Sequence, residues 1–284
     1  MSILQAVLLG LLQGLAEFLP ISSSGHLAIF QNLFHIGEGT DEMFLFDILL
    51  HFGTLISIFV AFYKDIWRLI TETCGMIKDL VMNIVNKIKG AETVRIVRTG
   101  YRKFVLMVII STIPTGIIGV LLKSITKAAS ATLIMPGIFL LMTAALLFIA
   151  DKAPEGEKNP KTATYLDSVI LGAAQGLATL PGISRSGTTI TTALLCGFEK
   201  KYAVKYSFIM SIPAVLGACV MEISDAKGSV LEPSYIVGML VAAIVGYVAI
   251  KTMLVVVRKK KYIVFSIYCL CMGIVAIVGS FIVK

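Results

Sequence analysis

Charge is scarce in this 284-residue chain: Asp, Glu, Lys and Arg together supply only 15% of it. A soluble protein of this length would cover its surface with far more. Aromatic residues are also few, at 9%, and tryptophan occurs once. Its 24 glycines and 8 prolines follow no three-residue period, which excludes a collagen-like chain. Five cysteines (Cys74, Cys196, Cys219, Cys269 and Cys271) form no CxxC pair and no Cys/His cluster, so neither a disulfide framework nor a zinc site is expected. Aliphatic residues fill the remaining space. Hydrophobic residues reach 57% and the mean hydropathy is +0.91, which excludes disorder and reads as an all-α integral membrane protein. The net charge of +8 is assigned to loops facing anionic lipid, and no nucleic-acid partner is expected.

Six windows are long enough to cross a bilayer at about 20 residues per helix. They are Met43–Phe62, Phe104–Leu122, Ala131–Ala150, Tyr206–Met221 extended back to Ala203, Ser234–Val257 and Tyr262–Val283. Two further stretches are apolar but interrupted. Ile3–Pro20 runs through Ile21–Ser24 into a second short segment, and Leu166–Pro181 runs through Gly182–Gly187 toward Leu195. Each reads as a re-entrant helical hairpin, because broken backbone at membrane depth is tolerated only inside protein or beside a wet cavity. Eight full crossings is the competing count. A signal peptide at the N-terminus is disfavoured, since no basic residue precedes Ile3. Ile110–Pro114 and Met210–Pro213 suggest broken helices lining the centre, or ordinary proline kinks.

Basic residues suggest an orientation. Nine Lys/Arg lie between Tyr63 and Lys103, and four more form Arg258–Lys261. With six crossings these loops share a side with Asp151–Ala163 and Lys200–Lys201. Lys123, Lys127, Lys227 and Lys284 lie opposite. The positive-inside bias places the basic loops in the cytoplasm and both termini outside. Around Met76–Lys89, apolar and basic residues alternate in a way that suits an interfacial helix.

A shift of 162 residues lays the two interrupted segments over each other without a gap. Of the 19 positions 7–25, 11 are identical, including Gln13-Gly14-Leu15-Ala16 with its copy at 175–178, and Ile21, Ser22, Ser24 and Gly25 with theirs at 183, 184, 186 and 187. Each half, 1–150 and 151–284, holds one hairpin and three crossings. An odd number of crossings inverts the second copy, so the expected architecture is an inverted-topology repeat of six transmembrane helices plus two re-entrant helical hairpins, integrated into one membrane domain.

The turns carry the chemistry. Small residues and hydroxyls at the start of a helix, Ser22, Ser23 and Ser24 in one copy and Ser184, Ser186, Thr188 and Thr189 in the other, resemble an anion-binding nest. Arg185 adds a planar fork suited to phosphate oxygens, and an unpaired guanidinium at membrane depth is costly. Its other reading is a salt bridge to Asp47 or another acid. The first copy has Glu17 where the second has Thr179, and His26 where the second has Thr188. Glu17 shares a helical face with Gln13, four residues away. A carboxylate and an imidazole opposite a hydroxyl–arginine cradle suit acid–base or nucleophilic work on a bound anion. Glu17 and Gln13 could instead hold a divalent cation, His26 could cap its helix, and the serines could be turn formers. Asp47 and His51, again four apart, are expected to support Arg185 or His26, or to position a cation.

The run Gln13-Gly14-Leu15-Ala16-Glu17-Phe18-Leu19-Pro20-Ile21-Ser22-Ser23-Ser24-Gly25-His26-Leu27 resembles the bacterial undecaprenyl-diphosphate phosphatases of the bacitracin-resistance family. Pro181-Gly182-Ile183-Ser184-Arg185-Ser186-Gly187-Thr188-Thr189 resembles the family's second signature, and Phe46–Thr54 a third stretch. The resemblance covers essentially the whole chain. It implies hydrolysis of undecaprenyl diphosphate to undecaprenyl phosphate and phosphate in the bacterial inner membrane, which recycles the carrier lipid for peptidoglycan and confers bacitracin tolerance. It also implies a divalent cation, Mg²⁺ or Ca²⁺, and a site opening to the extracytoplasmic side. No obligate protein partner is implied, and a homodimer remains compatible. Three nucleophiles fit: Ser23 activated by His26, His26 itself, or water. The alternative function is a transporter or flippase for an anionic lipid or small anion, since paired broken helices also serve transport.

Overall fold

A computed structural model describes residues 1–34, 42–223, 231–259 and 261–282. The basic residues Lys227, Lys260 and Lys284 of the orientation argument lie outside them. Eleven helices make up the described chain: α1 (Ile3–Phe18), α2 (Ser23–Phe34), α3 (Glu42–Ala61), α4 (Tyr63–Ile88), α5 (Gly100–Ser130), α6 (Ile134–Lys152), α7 (Tyr165–Leu177), α8 (Arg185–Leu195), α9 (Lys200–Ile223), α10 (Pro233–Arg258) and α11 (Tyr262–Ile282). Every predicted crossing window falls on a helix. Five helices (α5, α6, α9, α10 and α11) are long and apolar enough to cross a bilayer, and a sixth span is counted at the bent pair α3–α4. The protein is therefore a multi-pass membrane bundle. Its outward surface is apolar, with Leu121, Val220 and Phe281 each about 70% exposed, as lipid-facing helices require.

The bent pair of membrane length is not where the sequence put one. It is α3–α4, which meet at 86° beside Phe62. The two stretches expected as hairpins are helix pairs, α1–α2 and α7–α8, whose helices of 11 to 16 residues are each shorter than a span. Of the two proline readings, broken helices give way to continuous ones. Both Pro114 and Pro213 sit inside continuous helices, α5 and α9. Near Pro114, the Thr115 hydroxyl donates to the Ser111 and Gly172 carbonyls, the kind of side-chain help that lets a membrane helix run through a proline.

The sequence match between the two stretches has counterparts in local structure. α1 and α7 both open on a capping box, Ser2 with Gln5 and Thr164 with Asp167, at equivalent positions. α1 then lies along α10, and α7 along α5. The contacts use the same residues of each copy. A methyl group at Gly10 or Gly14 would run into the α10 backbone, and one at Gly172 or Gly176 into α5. Such small-residue seams let membrane helices approach closely, where packing rather than water exclusion drives association. A long apolar core behind the turns, with Phe18 edge-on to Phe208 at 5.4 Å, fixes the two broken pairs against α3, α6 and α9.

Candidate active site

The two turns meet. Ser22 Oγ accepts from the amide of Gly25 in its own turn at 3.2 Å and from the amide of Gly182 in the other at 3.1 Å. Ser186 returns the link, donating to the Leu19 carbonyl at 3.2 Å. Gly25 lies so close to Gly182 that a Cβ there would stand 2.7 Å from its Cα. The turns are built differently, although their sequences match. Ser22 has a φ of +70°, a left-handed conformation uncommon for serine, whereas its counterpart Ser184 has a φ of −71° and Gly182 takes the positive φ, at +107°. Ser184 caps α8 through the Gly187 amide at 3.1 Å, as Ser22 caps α2.

Glu17 is the centre of the site. It is 6% exposed and joined to both turns. Its Oε1 forms a buried ion pair with Arg185 of the second turn. Oε2 accepts from Ser23 Oγ at 2.5 Å and from Gln13 Nε2 at 3.1 Å. His51 lies within electrostatic reach of the same carboxylate. Arg185 thus finds its acid in Glu17, not in Asp47. A buried pair of this kind is strongly disturbed when one partner is removed, because the other charge is left uncompensated.

His26, 1% exposed, does not hydrogen-bond Ser23. Its Nδ1 lies 2.8 Å from the Ser22 carbonyl, which can only accept, so Nδ1 carries the proton. Nε2 lies 2.8 Å from Tyr268 Oη, with the two rings parallel to within 8°. Tyr268 comes from α11 and gave no signal in sequence, since it sits in an uninterrupted apolar window. Thr143 of α6 was missed for the same reason. It donates to the Gly182 carbonyl at 2.8 Å and accepts from the Ser184 amide at 2.9 Å, clamping the second turn.

Other predicted residues divide into those aimed at the centre and those spent on structure. Gln13 Oε1 and Thr188 Oγ1 are buried with no hydrogen-bond partner, and Ser24, half-buried, has none among the described residues. Thr189 is committed to Ser207 at 2.5 Å and to its own helix. Ser184 and Ser186 face each other at 3.3 Å. Asp47 accepts from Gln31 at 3.4 Å, and His51 Nδ1 donates to the Asp47 carbonyl at 2.8 Å. At the starts of α2 and α8 the first amides have no carbonyl within their own helix, the usual condition for anion binding there.

A carboxylate, a hydroxyl bonded to it, a guanidinium and two helix starts converging at one buried spot are equipment for phosphoryl chemistry. Comparison with known proteins decides the family. The family model described as bacitracin resistance protein BacA matches residues 6–275. The chain belongs to this family. It is 43% identical to an undecaprenyl-diphosphatase of Alkaliphilus metalliredigens over 99% of both chains. The identity is 38% to one of Methanosphaera stadtmanae, again over 99% of both, and 39% to one of Treponema denticola over 96% of both. The family match spans both turns.

Proposed function

We propose that the protein is an undecaprenyl-diphosphate phosphatase, cleaving the lipid diphosphate to undecaprenyl phosphate and inorganic phosphate. The observation that carries the reading is one carboxylate, Glu17, bonded at once to a hydroxyl nucleophile and to a phosphate-binding guanidinium. Arg185, the amides at the starts of α2 and α8, and the free hydroxyls of Ser24 and Thr188 hold the terminal phosphoryl oxygens. As phosphate engages Arg185, it competes for the guanidinium that Glu17 holds, and the carboxylate is released to act as base. Ser23 Oγ then attacks the terminal phosphorus and passes its proton to Glu17 Oε2. The bond to the bridging oxygen breaks, and undecaprenyl phosphate leaves. Glu17 releases that proton to the departing phosphate oxygen, then takes a proton from the water that attacks the phosphoserine phosphorus and returns it to Ser23 Oγ as the Ser–O–P bond breaks, which regenerates the hydroxyl and frees phosphate. The 2.5 Å bond favours Glu17 over His26 as the base for Ser23. His26, fixed by Ser22 and Tyr268, orients the turn that carries the nucleophile.

The residues present suit a divalent cation. Gln13 Oε1, buried and unpartnered, sits on the face of α1 that carries the Glu17 carboxylate, and both offer the oxygen donors that Mg²⁺ and Ca²⁺ prefer. Among the described residues, no three His, Cys, Asp or Glu are grouped so that they could hold a metal ion by themselves. A single carboxylate fits a cation that is held jointly with substrate phosphates. When bound, it would neutralise charge on the diphosphate.

The same reading includes the finer architecture. α1–α2 and α7–α8 form re-entrant hairpins of two inverted repeats, 1–150 and 151–284. The equivalent caps and the exchanged seams of α1 on α10 and α7 on α5 support this. Both termini then lie outside, and the site opens to the extracytoplasmic side of the inner membrane. The test is phosphate release from undecaprenyl diphosphate by purified protein in detergent, with and without chelator, beside Arg185→Ala. Release that needs the divalent cation and collapses in the variant is expected. A folded, metal-supplied protein that releases none would overturn the reading in favour of transport.

A further inference from the structure

α4 is the most sharply amphipathic helix of the chain, and its two faces have different fates. The polar face is used up by the chain itself. Asp65 pairs with Lys205 at 2.8 Å, Glu72 with Arg102 at 2.9 Å, and Asp79 with Arg102 at 2.5 Å and Arg98 at 2.6 Å. The returning segment 89–99 is pinned there too, through Asn83 to both the amide and the carbonyl of Val94 and through Asn86 to the Glu92 carbonyl. The other face is a stripe at helical spacing, Trp67, Ile70, Ile77, Val81, Ile84 and Ile88, which is exposed along its whole length. Trp67 is 68% exposed and Ile88 81%.

Charge is left on one sign only. All three acids of α4 are neutralised by cations from other elements, while Lys78 and Lys87, on the two flanks of the stripe, have no acidic partner among the described residues. The 86° bend between α3 and α4 fixes the direction. With α3 crossing the bilayer, α4 runs in its plane for roughly 40 Å. An apolar stripe with an aromatic residue near the bend and lysines on both flanks matches the boundary between acyl chains and anionic headgroups. A second copy fits worse, since a symmetric pairing of the stripes would bring the same lysines together.

We infer that α4 is an in-plane anchor that seats its stripe in the bilayer interface and gathers anionic phospholipid through Lys78 and Lys87. This goes beyond the phosphatase reading and is tested without measuring activity. Trp67 is the only tryptophan of the chain, so its fluorescence reports on α4 alone. The full-length protein is reconstituted in vesicles of equal phosphatidylcholine and phosphatidylglycerol, with brominated acyl chains placed on one lipid and then on the other. Trp67 is expected to resist aqueous iodide and to be quenched by bromolipid, roughly twofold more strongly when the bromine is on phosphatidylglycerol. Raising the salt should remove that preference while leaving the quenching itself, because screening weakens the headgroup attraction and not the burial. The double variant Lys78→Glu/Lys87→Glu should equalise the two lipids in low salt. Equal quenching in the unaltered protein would overturn the anionic selectivity. Iodide access, or resistance to both quenchers, would overturn the lipid seat itself, the latter in favour of a protein partner.

Discussion

The two turns start from nearly one sequence and end with different duties. Positions that remain identical between them, Gly10 with Gly172, Gly14 with Gly176, Ser22 with Ser184 and Gly25 with Gly187, make seams, caps and the close approach of the turns. Positions that differ, Glu17 against Thr179, Ser23 against Arg185 and His26 against Thr188, supply the ion pair and the hydroxyl bonded to its carboxylate. Two turns of matching sequence place their differing residues face to face. The polar centre is thereby assembled from both turns, and neither contains it alone.

That comparison can be broken most severely at Glu17. Glu17→Gln keeps the shape but removes the charge that holds Arg185 and accepts the Ser23 proton, so kcat for phosphate release should fall by about 10³-fold. Retained turnover would mean that the diverged carboxylate is not the base. Next comes a contrast within one turn. Ser23→Ala should cost about 10²-fold or more in kcat, while Ser24→Ala, which removes a hydroxyl with no protein partner, should change it by less than about tenfold. Equal losses would assign both serines to binding.

Tyr268→Phe sharpens the comparison from outside the turns. It keeps the ring stacked on His26 and deletes the hydroxyl bonded to Nε2. The expected effect is about a tenfold fall in kcat with KM unchanged, since orientation is lost and substrate contacts are kept. A rise in KM alone would place Tyr268 against the substrate. The smallest effect separates the shared glycines. In Gly25→Ala, the new Cβ meets the Gly182 backbone, which cannot move aside, so unfolding should be easier by about 2–3 kcal/mol. In Gly187→Ala, it meets Ser184 and Pro20 side-chain atoms at 3.1–3.3 Å, and about 1 kcal/mol is expected. Thermal melts in detergent compare the two, and equal shifts would deny that the turns are built differently.

Much of this was legible beforehand, because periodic hydropathy and a long self-match survive without coordinates. The helices, the duplication and the set of residues around the centre follow from them. What hydropathy cannot set is the rotation of one helix against another. Arg185, read as free for phosphate or bridged to Asp47 or another acid, is paired with Glu17. Ser23 was offered His26 and also took Glu17, while His26 was claimed by Tyr268, 242 residues away. Ser22 carries no mark of its left-handed φ. Pro114 and Pro213, readable as breaks or as ordinary kinks, lie in continuous helices. In α4, the pairing of every acid with a distant cation could not be read from a run of mixed charges.

The most direct test of the central claim is phosphate release from undecaprenyl diphosphate by Ser23→Ala and Ser184→Ala side by side, each with its thermal unfolding midpoint. Ser23→Ala is predicted to lose turnover per folded molecule, whatever its midpoint, while Ser184→Ala melts earlier, by about 1 kcal/mol for a lost cap, and retains most turnover per folded molecule. The reverse pattern, with the shared serine carrying the chemistry and the diverged one the stability, would contradict it.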